Sequence, residues 1–389
     1  MDFLLQATEL KGTIVSWRRT IHKNPEKGDF LPKTSTLVED TLEKLGIEHC
    51  RITQSGIAAW LGKGEKTVLV RADMDALPGN ENSGLPFAAT NGCVHACGHD
   101  IHTASLLGAA AMLKRVESSL KGRVVFMFQP GEETMTGAAD MVKNGILERF
   151  HPNLAIAMHV NVGEVPSGEI WIKKGAFNAG SDIFEVTVNG KGGHGAFPHN
   201  AVNPIYAMTR MITAFTEISR YEVSALEPNI LTVCAVEGGN AGNVIPKSCT
   251  FRGSLRTFST DVRDYIVGRL SETVSDIAYA HRCTAEFKVS ASTPPLVNPP
   301  EIAEWAKTRL AKLIGEERVK TPFLQSMGSE DFSQIASRVP SCYISVGISR
   351  VPGCTVPLHN ENIVFDEKYI HLGAAAFAQL AYSYLNEDN

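Results

Sequence analysis

TVLVRADMD, residues 67–75, opens as a run of β-branched and apolar residues and closes on two carboxylates, Asp73 and Asp75. Such a segment reads as a buried strand whose carboxyl end carries polar chemistry. Working outward, the same grammar repeats. HTASLLGAAAMLKRV, residues 102–116, is rich in Ala and Leu and reads as a buried helix. RVVFMFQP, 123–130, is a strand stopped by proline, and LAIAMHV, 154–160, is another short apolar strand. Toward the N-terminus, residues 8–22 and 35–45 have amphipathic helical spacing. Strands alternating with helices need crossover connections, so the expected fold is α/β with a mainly parallel sheet.

The pattern changes near Gly180. DIFEVTVNGKGGHGAF, 182–197, alternates apolar and polar residues as a half-solvated antiparallel strand does. A helix over 204–216, strands over 230–236 and 249–257, a helix over 261–280 and a strand over 284–290 give a β-α-β-β-α-β order. After the Pro-rich stretch TPPLVNPP, 293–300, helix and strand signals alternate again, through SCYISVG at 341–347 and a last helix from Glu367. The expected layout is a discontinuous α/β domain, 1–180 and 294–389, interrupted by a smaller α+β sandwich, 181–293.

In open α/β sheets functional groups collect at the carboxyl ends of strands. Polar residues gather at several such places: Asp73 and Asp75, Gly131–Glu132–Glu133, His159, HACGHD at 95–100 ahead of the buried helix, and LHNEN at 358–362. Cys97 and His99, one residue apart, could hold one ion from an extended segment. Adjacent Glu132 and Glu133 point different ways in an extended chain, so one can ligate while the other faces substrate. His159 and His359 would complete a set of S, N and O donors suited to two divalent ions. Such a pair deprotonates a water and polarises a carbonyl, and a free carboxylate beside it acts as general base. Each piece alone has a plainer reading. A strand-end His is usually hydrogen-bonded, a Cys between Ala and Gly is usually just small and buried, and a Glu pair is usually solvated. Their meeting at strand ends is what favours a metal site. His95, His102, His199 and His371 read as structural, and Asp75 and Asp100 as groups that orient ligands.

At these residues the sequence resembles the M20 metallopeptidase family, in its aminoacylase, hippurate-hydrolase and IAA-amino acid hydrolase-like branch. The matching segments are RADMDALP (71–78), HACGHDIHTA (95–104), FQPGEE (128–133), KGGHGAFPH (191–199), RTFS (256–259), MGSEDF (327–332) and LHNEN (358–362). The resemblance implies two divalent metal ions, Zn, Mn, Co or Ni, held by Cys97, His99, Glu133, His159 and His359, with Glu132 as general base. It implies that 181–293 is a lid and dimerisation domain giving a homodimer, or a tetramer built from it, and that His194 reaches the partner subunit's active site. Asn243 in GNVIP and Arg256 would contact the substrate carboxylate or the lid. The implied reaction is hydrolysis of the amide bond of an N-acyl-L-amino acid. A dipeptidase or small carboxypeptidase would use the same chemistry. A catalytically inactive metal-binding scaffold and a cysteine-nucleophile hydrolase are the readings from other classes. Two departures stand out. The wider family has His-x-Asp where this chain has Asp73-Met74-Asp75, and the branch usually has Ala where this chain has Gly131.

Composition narrows the partners. The 389 residues are 43% hydrophobic and 20% charged with a formal net charge of −5, and no dense basic run is present, which argues against nucleic acid and anionic membrane. No apolar run approaches the roughly 18 residues of a membrane span. The N-terminus lacks a basic segment ahead of a long apolar stretch, so no signal peptide is expected. Eight scattered cysteines with no CxxC pair read as reduced thiols, giving a cytoplasmic expectation.

Overall fold

Residues Thr67–Asp73 form a strand buried along its whole length, because strands flank it on both sides and the helices His99–Arg115 and His371–Asn386 pack against it. The structure, a computed structural model, describes residues 1–321, 325–350 and 354–387. It has two compact units.

The larger unit comprises Met1–Gly175, Val297–Leu324 and Asp331–Asn389. Among the described residues its sheet has eight strands, in the order Glu48–Arg51, Ile57–Gly62, Arg123–Gln129, Thr67–Asp73, Leu154–Asn161, Ser341–Gly347, Ile170–Trp171 and Val319–Lys320. The central four are mutually parallel, while Ile57–Gly62 pairs antiparallel with Arg123–Gln129. The chain steps from Thr67–Asp73 to Arg123–Gln129 on one side and then crosses to Leu154–Asn161 on the other. Strand order therefore reverses at Thr67–Asp73, and the crevice at the carboxyl ends beside such a reversal is where ligands bind in open α/β sheets.

The helices Phe3–Lys23, His99–Arg115 and His371–Asn386 pack against one another. Small residues let them approach: a Cβ added at Gly108 would meet the Cβ of Ala374 at 2.9 Å and Ile14 at 2.9 Å. Ile14, Leu106, Leu107, Phe377 and Leu380 are all fully buried in the resulting core. Each such side chain contributes roughly 1.5–3 kcal/mol by leaving water.

The central helix starts at His99, three residues before the start expected from its Ala/Leu run. Gly98 precedes it with φ of +96°, and a Cβ there would lie 2.4 Å from Val160 Cγ2. Only glycine makes this turn beside the strand. Cys97 and His99 consequently flank a turn rather than lying on an extended segment, which corrects the sequence expectation.

The smaller unit comprises Ala176–Leu296 and Gln325–Glu330. Its antiparallel sheet runs Asn229–Glu237, Ser248–Thr257, Gly180–Asn189, Thr284–Thr293. The helices Pro204–Glu217 and Thr260–Ala280 pack on one face, over a core of Phe184, Met211, Phe215, Phe251, Leu255 and Leu270. Side chains of Asn203 and Ser259 accept from the first free amides of these helices, at Ile205 and Val262. The unit is wider than 181–293 and takes in a segment beyond the Pro-rich stretch. Ser326 donates its amide to the Phe177 carbonyl and accepts from Ala179 N, a backbone pairing that alternation of residue types does not reveal. Among the described residues no helix is long and apolar enough to cross a membrane.

Candidate metal centre

Three strand ends and two loops of the larger unit deliver the cluster. His159 lies on Leu154–Asn161, and its Nδ1 donates to the Val160 carbonyl at 2.6 Å. A carbonyl only accepts, so this bond places the proton on Nδ1 and leaves Nε2 with a lone pair, 3.3 Å from Cys97 Sγ. His99 Nδ1 donates to the Asp75 carbonyl at 2.9 Å. Its Nε2 has no hydrogen-bond partner and lies 4.0 Å from Glu132 Oε2 and 4.0 Å from Glu133 Oε1. His359 Nε2 lies 3.3 Å from Cys97 Sγ and 3.5 Å from Glu133 Oε1. His359 has φ of +63°, a strained conformation for a non-glycine residue, and its backbone amide is tied to the Ala96 carbonyl at 2.9 Å.

The donor atoms form overlapping groups, Cys97/His99/His159, Cys97/Glu133/His359 and His99/Glu132/Glu133, with the atoms of each group within 4.8 Å of one another. All five residues expected as ligands are thus brought together around the expected base. Glu132 and Glu133 do not diverge as in an extended strand. They sit in a turn, and both approach His99.

The donor set fits a divalent cation. His99 Nε2 and Glu133 Oε1 are buried and have no hydrogen-bond partner. Buried polar atoms are rarely left so, and a cation satisfies both at once. Burial holds His159 down at about 3, so it is neutral and free to ligate. Burial pushes the Cys97 thiol well above the usual thiol range. A cation partner is what would draw it to the thiolate form. Burial also raises Glu133.

A neighbouring group, Asp73, His99 and His102, also converges, but two of its members are already engaged. His102 Nε2 accepts from the Val160 amide at 2.9 Å, so Nδ1 carries the proton and donates to Asp73 Oδ1 at 2.6 Å. Arg71 takes the other Asp73 oxygen at 2.7 Å. Burial alone would raise Asp73, yet His99, His102 and Arg71 outweigh it and hold the carboxyl well below its usual range. Asp73 and His102 therefore fix the strand end. The role of Asp73 was missed from sequence; its signal was a carboxylate closing an apolar strand.

Asp75 orients the glutamate pair, as expected. Its two oxygens accept the amides of Glu132 and Glu133, each at 3.1 Å. Asp100 does not orient a ligand. It binds Arg18 Nε at 2.7 Å and His22 Nδ1 at 2.8 Å, because one helical residue beyond His99 it faces another way.

His194, Asn243 and Arg256 belong to the smaller unit. His194 is exposed, in the short strand Gly193–His194 that pairs with Val244–Ile245. Gly195 N donates to the Asn243 carbonyl at 2.8 Å, so His194 and Asn243 sit side by side. Arg256 is half-buried and hydrogen-bonds Ser329.

Comparison with known proteins agrees with this construction. The model of peptidase family M20/M25/M40 matches residues 69–383. The chain is 34% identical to IAA-amino acid hydrolase ILR1-like 2 of Arabidopsis thaliana, over 98% of this chain and 87% of that protein. It is 32% identical to thermostable carboxypeptidase 2 of Saccharolobus solfataricus, over 97% of each. A solved structure from Bacillus subtilis, described as a dinuclear metal-binding peptidase of the M20 family, superposes with a TM-score of 0.83 at 29% identity, covering 97% of this chain and 99% of that one. The matched span takes in Cys97, His99, Glu132, Glu133, His159 and His359, and this chain belongs to peptidase family M20/M25/M40.

Proposed function

We propose that this protein is a metal-dependent amidohydrolase that cleaves N-acyl-L-amino acids to a carboxylic acid and a free amino acid. The observation that carries the reading is the convergence of Cys97, His99, Glu133, His159 and His359 around Glu132. The names of its relatives support it. Two divalent ions, from among Zn, Mn, Co and Ni, would be held by those five residues. When bound, they supply Lewis acidity, lowering the pKa of a water and polarising the acyl carbonyl.

Glu132 takes the proton from the attacking water and hands it to the leaving amine. Asp75 keeps the base in place by holding its backbone amide. Glu132 is 7% exposed, so its carboxylate works in a largely water-excluded site, where a general base is most effective. The partner's His194 is assigned to the oxyanion, and Asn243 and Arg256 to the substrate carboxylate or the lid. The smaller unit is assigned as the dimerisation unit. All eight cysteines are free, which supports a cytoplasmic location.

A second reading, a dipeptidase or small carboxypeptidase with the same chemistry, is favoured by the carboxypeptidase relative. A panel of acetyl-, benzoyl- and dipeptidyl substrates on metal-reconstituted protein separates the two. Cleavage of acyl amino acids is expected, and cleavage of dipeptides alone overturns the first reading. The shared site is tested by co-expressing Glu132→Ala and His194→Ala chains. Activity should return in the mixed dimer, and a verified heterodimer without activity refutes the assignment of His194.

A further inference from the structure

The turn carrying the glutamate pair, residues 130–137, is strained at Met135 and is gripped from two sides. Gly131 has φ of +68° and Met135 has φ of +57°. The Gly131 carbonyl accepts from Thr136 N at 3.2 Å, Gly137 N at 3.0 Å and Thr134 Oγ1 at 3.1 Å. On the buried side, Asp75 holds the amides of Glu132 and Glu133. On the exposed side, Asp29 Oδ1 accepts from Thr136 Oγ1 at 2.9 Å, and Thr136 Oγ1 lies 2.6 Å from Thr134 Oγ1.

An exposed Asp–Thr hydrogen bond alone would mean little. Gly131 gives it weight. A Cβ built at Gly131 would lie 2.0 Å from Asp29 Oδ1. A Cβ at 131 would therefore push the end of the exposed Asp29 side chain off Thr136, and the left-handed backbone there also favours glycine. Asp29 is itself well placed. Its loop is anchored where Ala76 N donates to the Glu26 carbonyl at 2.7 Å, where Glu26 accepts the amides of Lys33 and Thr34, and where Leu31 N donates to Ser55 Oγ at 2.8 Å. The segment Asp75–Ala76 therefore holds the glutamate turn twice, directly through Asp75 and indirectly through the loop bearing Asp29.

We infer that Asp29 and Gly131 are a matched pair that sets the position of Glu132, with Asp29 a positioning residue for the general base. The inference rests on the proposed role of Glu132. Small displacements of a catalytic group are expensive, a misplacement of about 1 Å costing on the order of 100-fold in rate.

The test is a cycle of Gly131→Ala, Asp29→Ala and the double variant. Each is assayed for kcat, KM and metal content on an acyl amino acid that the native enzyme cleaves. Gly131→Ala should lower kcat about 10- to 100-fold, because the added methyl displaces both Asp29 and the turn. Asp29→Ala should lower kcat by about 3- to 10-fold with KM and metal content unchanged, as expected when a transition-state group is misaligned without loss of substrate binding. The double variant should be more active than Gly131→Ala alone, since removing the Asp29 carboxylate relieves the clash, though the left-handed backbone strain remains. A double variant no better than Gly131→Ala overturns the proposal. If Gly131→Ala does not fold, Asp29→Asn and Asp29→Ala decide. Asn keeps the acceptor oxygen and should hold kcat near native, while native kcat in Asp29→Ala overturns the idea. Hydrogen exchange at the Glu132 and Glu133 amides gives a readout independent of substrate. It should speed up in Asp29→Ala with global stability unchanged, and unchanged exchange also overturns the proposal. A native protein that cleaves no acyl amino acid would defeat the function reading alone, and the exchange experiment would still judge the clamp.

Discussion

His99 and Asp100 are adjacent, both fully buried, and both in the first turn of the same helix, yet they belong to opposite kinds of polar cluster. On the Asp100 side every charge has a partner. Asp100 accepts from Arg18 and His22, Arg18 also reaches Glu367 at 3.1 Å, and His22 Nε2 meets Glu81 at 2.9 Å. On the His99 side, His99 Nε2 and Glu133 Oε1 end without hydrogen-bond partners while converging with a thiol and two further imidazoles. Burying polar groups costs free energy unless they are paired. The paired cluster has met that cost within the chain and holds the helix Phe3–Lys23 to the helix His99–Arg115. The unpaired cluster meets it only when something binds. Buried polarity by itself does not mark a functional site; convergent unsatisfied polarity does.

The largest effect should come from the converging cluster around His99. Glu132→Gln should retain metal and lose about 10²- to 10⁴-fold in turnover, the usual scale for removing a general base. Glu133→Gln should lose metal as well, since it removes a buried ligand oxygen. Elemental analysis beside rate measurements separates the two, and near-native turnover in Glu132→Gln would end the assignment. Cys97 sharpens the contrast. It should resist alkylation in metal-loaded protein and react after chelation, slowly and faster with rising pH, because burial keeps the metal-free thiol protonated.

Next in size is the paired side. Asp100→Ala removes the buried carboxylate between Arg18 and His22, leaving Arg18 only its longer ion pair with Glu367, and breaking a buried ion pair typically costs about 3–5 kcal/mol. Urea unfolding should show this loss, while the folded fraction keeps its metal content. A loss of metal without a loss of stability would show that Asp100 serves the site after all.

Much of this division was legible in the sequence. The apolar strands ending in Asp73 and Gln129, and the one carrying His159 near its end, announced both the sheet and its active edge, because burial and β propensity are local properties. The smaller unit was equally readable from the period-two pattern of residues 182–189. What was hidden depends on backbone geometry and long-range pairing. Gly98 and Gly131 act through positive φ angles that composition does not show. The pairing of Ser326 with Phe177 and Ala179 joins segments about 150 residues apart. Asp100 was misassigned because the helix starts at His99, which puts Asp100 inside the first turn, about 100° around the axis from His99, rather than in a loop beside it.

A smaller effect should appear in the pH dependence of the paired cluster. Burial would lower His22, but its bonds to Asp100 and Glu81 outweigh that and raise it above its ordinary 6.5. Its contribution to stability is therefore complete below pH 6.5 and fades as pH rises through the raised folded value. Burial would raise Asp100, but Arg18 and His22 outweigh it and depress the carboxyl below its ordinary 3.8, so its contribution is present above that pH and is lost on acidification. The gap in unfolding free energy between the native protein and His22→Gln should be widest between these limits and narrow above pH 6.5. A gap that widens with rising pH would mean that His22 is not held in its charged form.

The smallest effect should come from His95, which tests the comparison at its weakest point. Both ring nitrogens of His95 are buried without a hydrogen-bond partner, as His99 Nε2 is, and burial pushes its pKa down to about 3. If unsatisfied polarity alone marked function, His95 would be a site residue. It stands in none of the groups of converging donor atoms, and its ring is 6.1 Å from that of His22, on the paired side. Neutral and unpartnered, it behaves as a filler of the core. Replacing an unpaired buried polar group with an apolar one of similar size is close to neutral, so His95→Leu should change stability by no more than about 1.5 kcal/mol. Metal stoichiometry should stay native, and so should kcat. Loss of a metal equivalent in His95→Leu would show that an orphaned nitrogen is enough to indicate a ligand, and that the requirement for convergence drawn from His99 and Asp100 is too strict.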